Sequence, residues 1–165
     1  MENAPRLATP LILSDTGNVL AISPMLYVQL RLVEVTLPAL VDSGASDNFI
    51  DSGLVSSLRL SPLPLAVPTK IRSANGHLMD CDTYVVVLAV LGSLRFRISL
   101  RVVSSSMWII LGIAFLRYFD PCISWREGTL TIFRGEREWV IPMCAVDNGA
   151  QSAIGWPVIA RTADV

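Results

Sequence analysis

Apolar and β-branched runs recur along this chain at short intervals, each bounded by glycine, proline, asparagine or charged residues. Residues 25–35, 37–41, 67–73, 78–90, 94–103, 122–125, 129–133 and 139–141 follow one another in this way. Short runs separated by turn formers build a body of strands, so an all-β fold is expected. Asn75-Gly76, between Ile71 and Leu78, predicts a tight hairpin, because both residues tolerate positive φ. Arg126-Glu127-Gly128 predicts a second one. Helical signals are sparse: a turn or two between residues 45 and 58, and one short helix over 113–119, with Gly112 before it and Pro121 beyond it.

With 165 residues there is material for one core, and the segments outside it are rich in breakers. Residues 1–23 read as an N-terminal flanking segment, 24–144 as the folded domain and 145–165 as a C-terminal linker or tail. The chain is 52% hydrophobic and only 16% charged, which suits a small β body that also buries surface against a partner. A net charge of -1 without a Lys/Arg block argues against direct nucleic-acid binding or a polybasic membrane patch. The longest apolar run, 84–91, is far short of the roughly 20 residues that span a bilayer, so no membrane span is expected. Nor is a secretory signal. Cys81, Cys122 and Cys144 lack the paired spacing of a zinc site or a disulfide framework. They are expected to be reduced structural residues in an intracellular, cytoplasmic protein with no metal and no cofactor.

Three Asp-Ser/Thr-Gly triplets compete for chemical attention: Asp15-Thr16-Gly17, Asp42-Ser43-Gly44 and Asp51-Ser52-Gly53. Such triplets are also ordinary turns. Asp42 stands out because Ala39-Leu40-Val41 can deliver it into a dry interior and Ala45 lets a second backbone approach. Asp15 is the runner-up, and Asp51 reads as a turn or helix cap.

Leu40-Val41-Asp42-Ser43-Gly44-Ala45-Ser46-Asp47-Asn48-Phe49-Ile50 resembles the active-site segment of retropepsins, in particular the proteases of Ty3/gypsy-type retrotransposons and genes derived from them. Further along, Ile109-Ile110-Leu111-Gly112, then Phe115-Leu116, then Asp120-Pro121-Cys122-Ile123-Ser124-Trp125 resemble that group's Ile-Leu-Gly segment, short helix and tryptophan-ended strand. Ala74-Asn75-Gly76-His77 stands at the place of the flap hairpin. The chain departs from the pattern in having Ser43 for the commoner threonine, Phe115 for a frequent tryptophan, and no glycine in the hairpin at 31–36.

The resemblance implies a retropepsin-like acid protease barrel with one short C-terminal helix, working as a homodimer. Asp42 would be catalytic, with Ser43, Gly44 and Ala45 supporting its loop. Ala74, Asn75, Gly76 and His77 would form a flap over the substrate, and Ile110, Leu111 and Gly112 would pack beneath the loop. Only 27 residues (42 − 15) separate the two candidate aspartates, too few for a second lobe. The second carboxylate is therefore expected from another copy, with the strand at 139–141 at the interface. The implied activity is endopeptidase cleavage of extended apolar segments, as in Gag-Pol-type polyprotein processing. The alternatives are a catalytically inactive, domesticated dimerisation module and an unrelated β-barrel binding domain. Trp108, Trp125 and Trp139 are expected in the core or an interface, and the lone His77 on the exposed side of the flap.

Overall fold

A computed structural model describes residues 25–144 apart from Ala74, together with the short strands Leu11–Leu13 (β1) and Val19–Ala21 (β2), which pair antiparallel. The Asp15 triplet, Ala74 and residues 145–165 lie outside the described residues. The remaining strands are β3 (Leu26–Leu32), β4 (Val35–Val41), β5 (Phe49–Asp51), β6 (Leu63–Arg72), β7 (Leu78–Leu91), β8 (Leu94–Val103), β9 (Ile109–Leu111), β10 (Cys122–Ser124), β11 (Thr129–Arg134) and β12 (Arg137–Cys144). Two short helices, α1 (Ser52–Ser57) and α2 (Ile113–Phe119), complete the described elements.

These strands form one sheet in the order β10-β11-β12-β3-β4-β9-β5-β8-β7-β6, and an added β3–β7 pairing closes the middle six into a barrel. Closure follows from alternation. Val28, Leu30 and Leu32 of β3, Val85, Val87, Ala89 and Leu91 of β7, and Leu94, Ile98 and Leu100 of β8 all point inward and are buried. A one-residue slip would turn each of those sets to solvent, so the register is tightly held. Phe115 and Phe119 of α2 cap one end of this core, packed with Phe96.

Two hairpins of equal loop length show different local solutions. Gly92 carries φ +60° between the paired Leu91 and Leu94, at no steric cost. Between the paired Leu32 and Val35, Val33 adopts φ +55° although it is β-branched. The missing glycine therefore leaves the register intact and is absorbed as local strain, on the order of 1–2 kcal/mol for a left-handed residue. Val33→Gly is expected to raise stability by about 0.5–1 kcal/mol once the greater freedom of the unfolded chain is subtracted, read as a higher melting temperature.

The hairpin at Asn75-Gly76 is present. Gly76 takes the positive φ expected of it, +84°, and its N–H donates to the Ser73 carbonyl at 2.8 Å. Asn75 contributes through its side chain, whose Oδ1 accepts from the His77 N–H at 3.1 Å and from the Ser73 hydroxyl. The second hairpin turns at Gly128, φ +62°, between the paired Ser124 and Thr129.

Trp108 and Trp139 pack against the main core, whereas Trp125 is 71% exposed. Cys81 is buried, Cys144 half-buried and Cys122 exposed, so burial does not account for all three thiols. Residues 139–141 belong to β12, which pairs with β11 and, at its far end, with β3. The outermost strand on that side is instead β10, whose outer edge has no strand partner among the described residues. Also among the described residues, no helix is long and apolar enough to cross a membrane.

Candidate active site

Strand β9 lies between β4 and β5, with Ile110 paired to Leu40 on one side and Phe49 on the other. The segment joining β4 to β5 must therefore cross the end of β9, a span of two strand spacings or roughly 10 Å. Asp42 begins this crossing. Its N–H donates to the Leu111 carbonyl at 3.0 Å, and its own carbonyl accepts from Ala45 N–H at 3.2 Å. The Gly44 N–H donates to Asp42 Oδ1 at 2.8 Å. Asp42 is half-buried and Ser43 and Gly44 are exposed. Gly44 is not in a positive-φ conformation. What favours glycine there is room, since a Cβ would sit 3.1 Å from the same Asp42 Oδ1.

Gly112 passes directly under the loop. An added Cβ would lie 2.0 Å from the Asp47 carbonyl oxygen and 2.7 Å from that of Ala45, so only hydrogen fits. The crossing is held down by Asn48, which is buried although polar. Its Oδ1 accepts from Gly112 N–H at 3.0 Å and Phe115 N–H at 3.3 Å, while Ile113 N–H donates to the Ala45 carbonyl at 2.9 Å. Gly112, as the residue capping α2, has no side chain to satisfy the helix's first N–H groups. Asn48 supplies that acceptor from across the fold. Asn48→Ala is expected to cost about 2–4 kcal/mol by leaving two buried donors unpaired, read by chemical denaturation.

Asp47 receives Arg101 Nε at 2.6 Å, in a pair whose side chains are 29% and 31% exposed. This carboxylate holds the guanidinium above its usual pKa range. Neither Asn48 nor Arg101 was singled out by sequence reasoning. Asn48 lay inside the quoted motif, but the N–H groups that donate to its Oδ1 are 64 and 67 positions away, and nothing local marks Arg101.

The crossing loop faces a cleft of about 860 Å³, walled by Leu40, Phe49, Ile71, Met79, Val103 and Ile110. Asp42, Gly44 and Ala45 form its floor, and the β6–β7 hairpin reaches over it with Ser73 and Asn75 at the lining. Gly76 and His77 sit at the exposed tip. Of the expected supporting segment, Ile110 lines the cleft, Leu111 is fully buried behind Asp42, and Gly112 lies under the loop. Asp42 is the sole carboxylate among the described lining residues. Asp51 is elsewhere and fully used: Oδ2 accepts from Gly53 and Leu54 N–H to cap α1, and Oδ1 accepts from Ser105 N–H at 2.9 Å. Among the described residues no group of three or more His, Cys, Asp or Glu is placed to hold a metal ion.

A closed barrel with Asp-Ser-Gly at the crossing of two strands, a glycine-led helix beneath it and a hairpin above defines a retropepsin-like protease domain. Residues 38–136 match the family described as the PEG10/RTL1 protease domain, and the chain belongs to that retrotransposon-derived family. The fold is similar to the crystal structure of the retroviral protease-like domain of Ddi1 from Leishmania major. That match has a TM-score of 0.56 at 18% identity, covering 73% of this chain and 94% of that one. No curated protein matches the chain.

Proposed function

We propose that this chain is an aspartic endopeptidase whose catalytic dyad is the pair of Asp42 residues in a homodimer. The observation that carries the reading is a half-built site. A peptide-sized cleft with apolar walls, lined also by Lys70 and Arg72, holds one carboxylate, and that carboxylate is fixed by the backbone through Oδ1, with Oδ2 accepting no hydrogen bond among the described residues. Two such carboxylates brought together cannot both ionise readily, so they share a proton. One then takes a proton from the attacking water while the other protonates the carbonyl oxygen of the scissile bond.

Ser43, exposed beside Asp42, is free to bond across the two-fold axis and hold the loops in register. The edge of β10, without a strand partner among the described residues, and the exposed Trp125 next to it offer further surface for the second copy, beside the strand at 139–141. The apolar walls fit extended apolar segments, and the substrate class we assign is the interdomain segments of a polyprotein.

The test is mass-spectrometric detection of cleavage in a library of extended peptides. Cleavage that is blocked by a hydroxyl-bearing mimic of the tetrahedral intermediate supports the reading. Dimeric protein that cleaves nothing contradicts it and leaves the fold as an inactive dimerisation module.

A further inference from the structure

The β6–β7 hairpin contains a break in its own ladder. Pro64 pairs with Thr83 and Thr69 with Cys81, so five residues along β6 are set against two along β7. Regular pairing resumes at Thr69 and runs through Lys70, Ile71 and Arg72 to the turn over the cleft. An irregularity of this kind lets a strand bend where it lies. Thr69 is thus the first regularly paired residue beyond the irregularity, about 13 Å of strand from Ser73.

At that residue a side chain from the barrel takes hold. Arg101 donates from Nη1 to Thr69 Oγ1 at 3.2 Å while its Nε donates to Asp47 Oδ2 at 2.6 Å. Its root is immobilised: Arg101 lies in β8 opposite Phe49 and Tyr84, and its N–H donates to the Asn48 carbonyl at 2.9 Å. One planar guanidinium therefore joins the hairpin arm to the loop that carries Asp42, using two nitrogens in fixed relative positions. Lysine could not reproduce that geometry with a single ammonium. The neighbouring Lys70–Asp80 pair is a contrast. Its side chains are 67% and 81% exposed and it lies within the hairpin, so it ties the arm to nothing and is weakened by solvent.

We propose that Arg101 is a positioning residue that sets the height of the hairpin over Asp42 by clasping Thr69 just beyond the break in the ladder. The proposal rests on the endopeptidase reading for its kinetic consequences. Thr69→Val removes the clasp with almost no change of shape. It is expected to raise KM by roughly 5- to 10-fold, the worth of one ordinary hydrogen bond, with kcat changed less than about 2-fold. Thr69→Ser restores the hydroxyl and returns KM toward the parent value.

In an Asp47→Ala background, where Arg101 has lost its anchor, Thr69→Val is expected to add little further. That coupling is what a purely local contribution to stability would not produce. Hydrogen exchange of the amides of residues 69–72 in the full chain supplies a readout independent of cleavage, and Thr69→Val is expected to accelerate it. Unchanged KM together with unchanged exchange in Thr69→Val overturns the proposal. So does a lower melting temperature with KM and exchange unaltered. If the parent protein cleaves no peptide, the endopeptidase reading fails, and the exchange measurement still decides whether Arg101 clasps the hairpin.

Discussion

Asp42→Asn is expected to lower peptide cleavage by about 10³-fold or more while leaving the barrel folded. The scale follows from removing the group that both accepts and donates the proton in the reaction. Folding should survive because the Asp42 side chain makes a single hydrogen bond within the described chain, from Gly44 N–H to Oδ1, and asparagine keeps an oxygen there. A melting temperature within about 2 °C of the parent, with cleavage lost, is the expected pair of results. Retained cleavage would remove Asp42 from the chemistry.

Gly112→Ala has the largest expected effect on stability. Most of the described glycines that resist substitution do so through positive φ, but Gly112 has φ -92°, which alanine adopts freely. Its restriction is space, since the new Cβ would meet backbone carbonyl oxygens of Asp47 and Ala45 that no rotamer change can move. Relief requires lifting the crossing loop, which would break the Asn48 bonds to Gly112 and Phe115 and the Ile113 bond to Ala45. The expected cost is about 4 kcal/mol or more, in the range reserved for buried clashes and broken networks. Thermal unfolding of the purified variant checks it. A variant as stable as the parent would show that the loop has room to rise.

Local pattern made much of this fold legible. The long apolar run within 78–90 and the alternation over 94–101 declare β7 and β8, and Gly112 with Pro121 bracket α2 at 113–119. Strand β6 starts earlier than its apolar run suggests, at Leu63, because an edge strand tolerates Pro64 and Pro68 where an interior strand would not. Strands β5 and β9 are three residues each, too short to carry a period, yet they frame the site.

The site divides in the same way. Asp42 was marked by its apolar lead and small followers, and Asp51 by its position before a short helix. The work of Asn48, the contacts of Arg101 with Thr69 and Asp47 and the space requirement at Gly112 depend on pairings between segments more than 30 positions apart, which no local pattern encodes.

The central claim is that Asp42 is half a site and that a second copy completes it. The most direct measurement mixes parent protein with Asp42→Asn protein at constant total concentration, allows subunits to exchange, and follows peptide cleavage. If each site needs two intact Asp42 residues, activity falls as the square of the parent fraction, so an equal mixture keeps about one quarter. An equal mixture that keeps one half would show each chain acting alone, and would contradict the shared site.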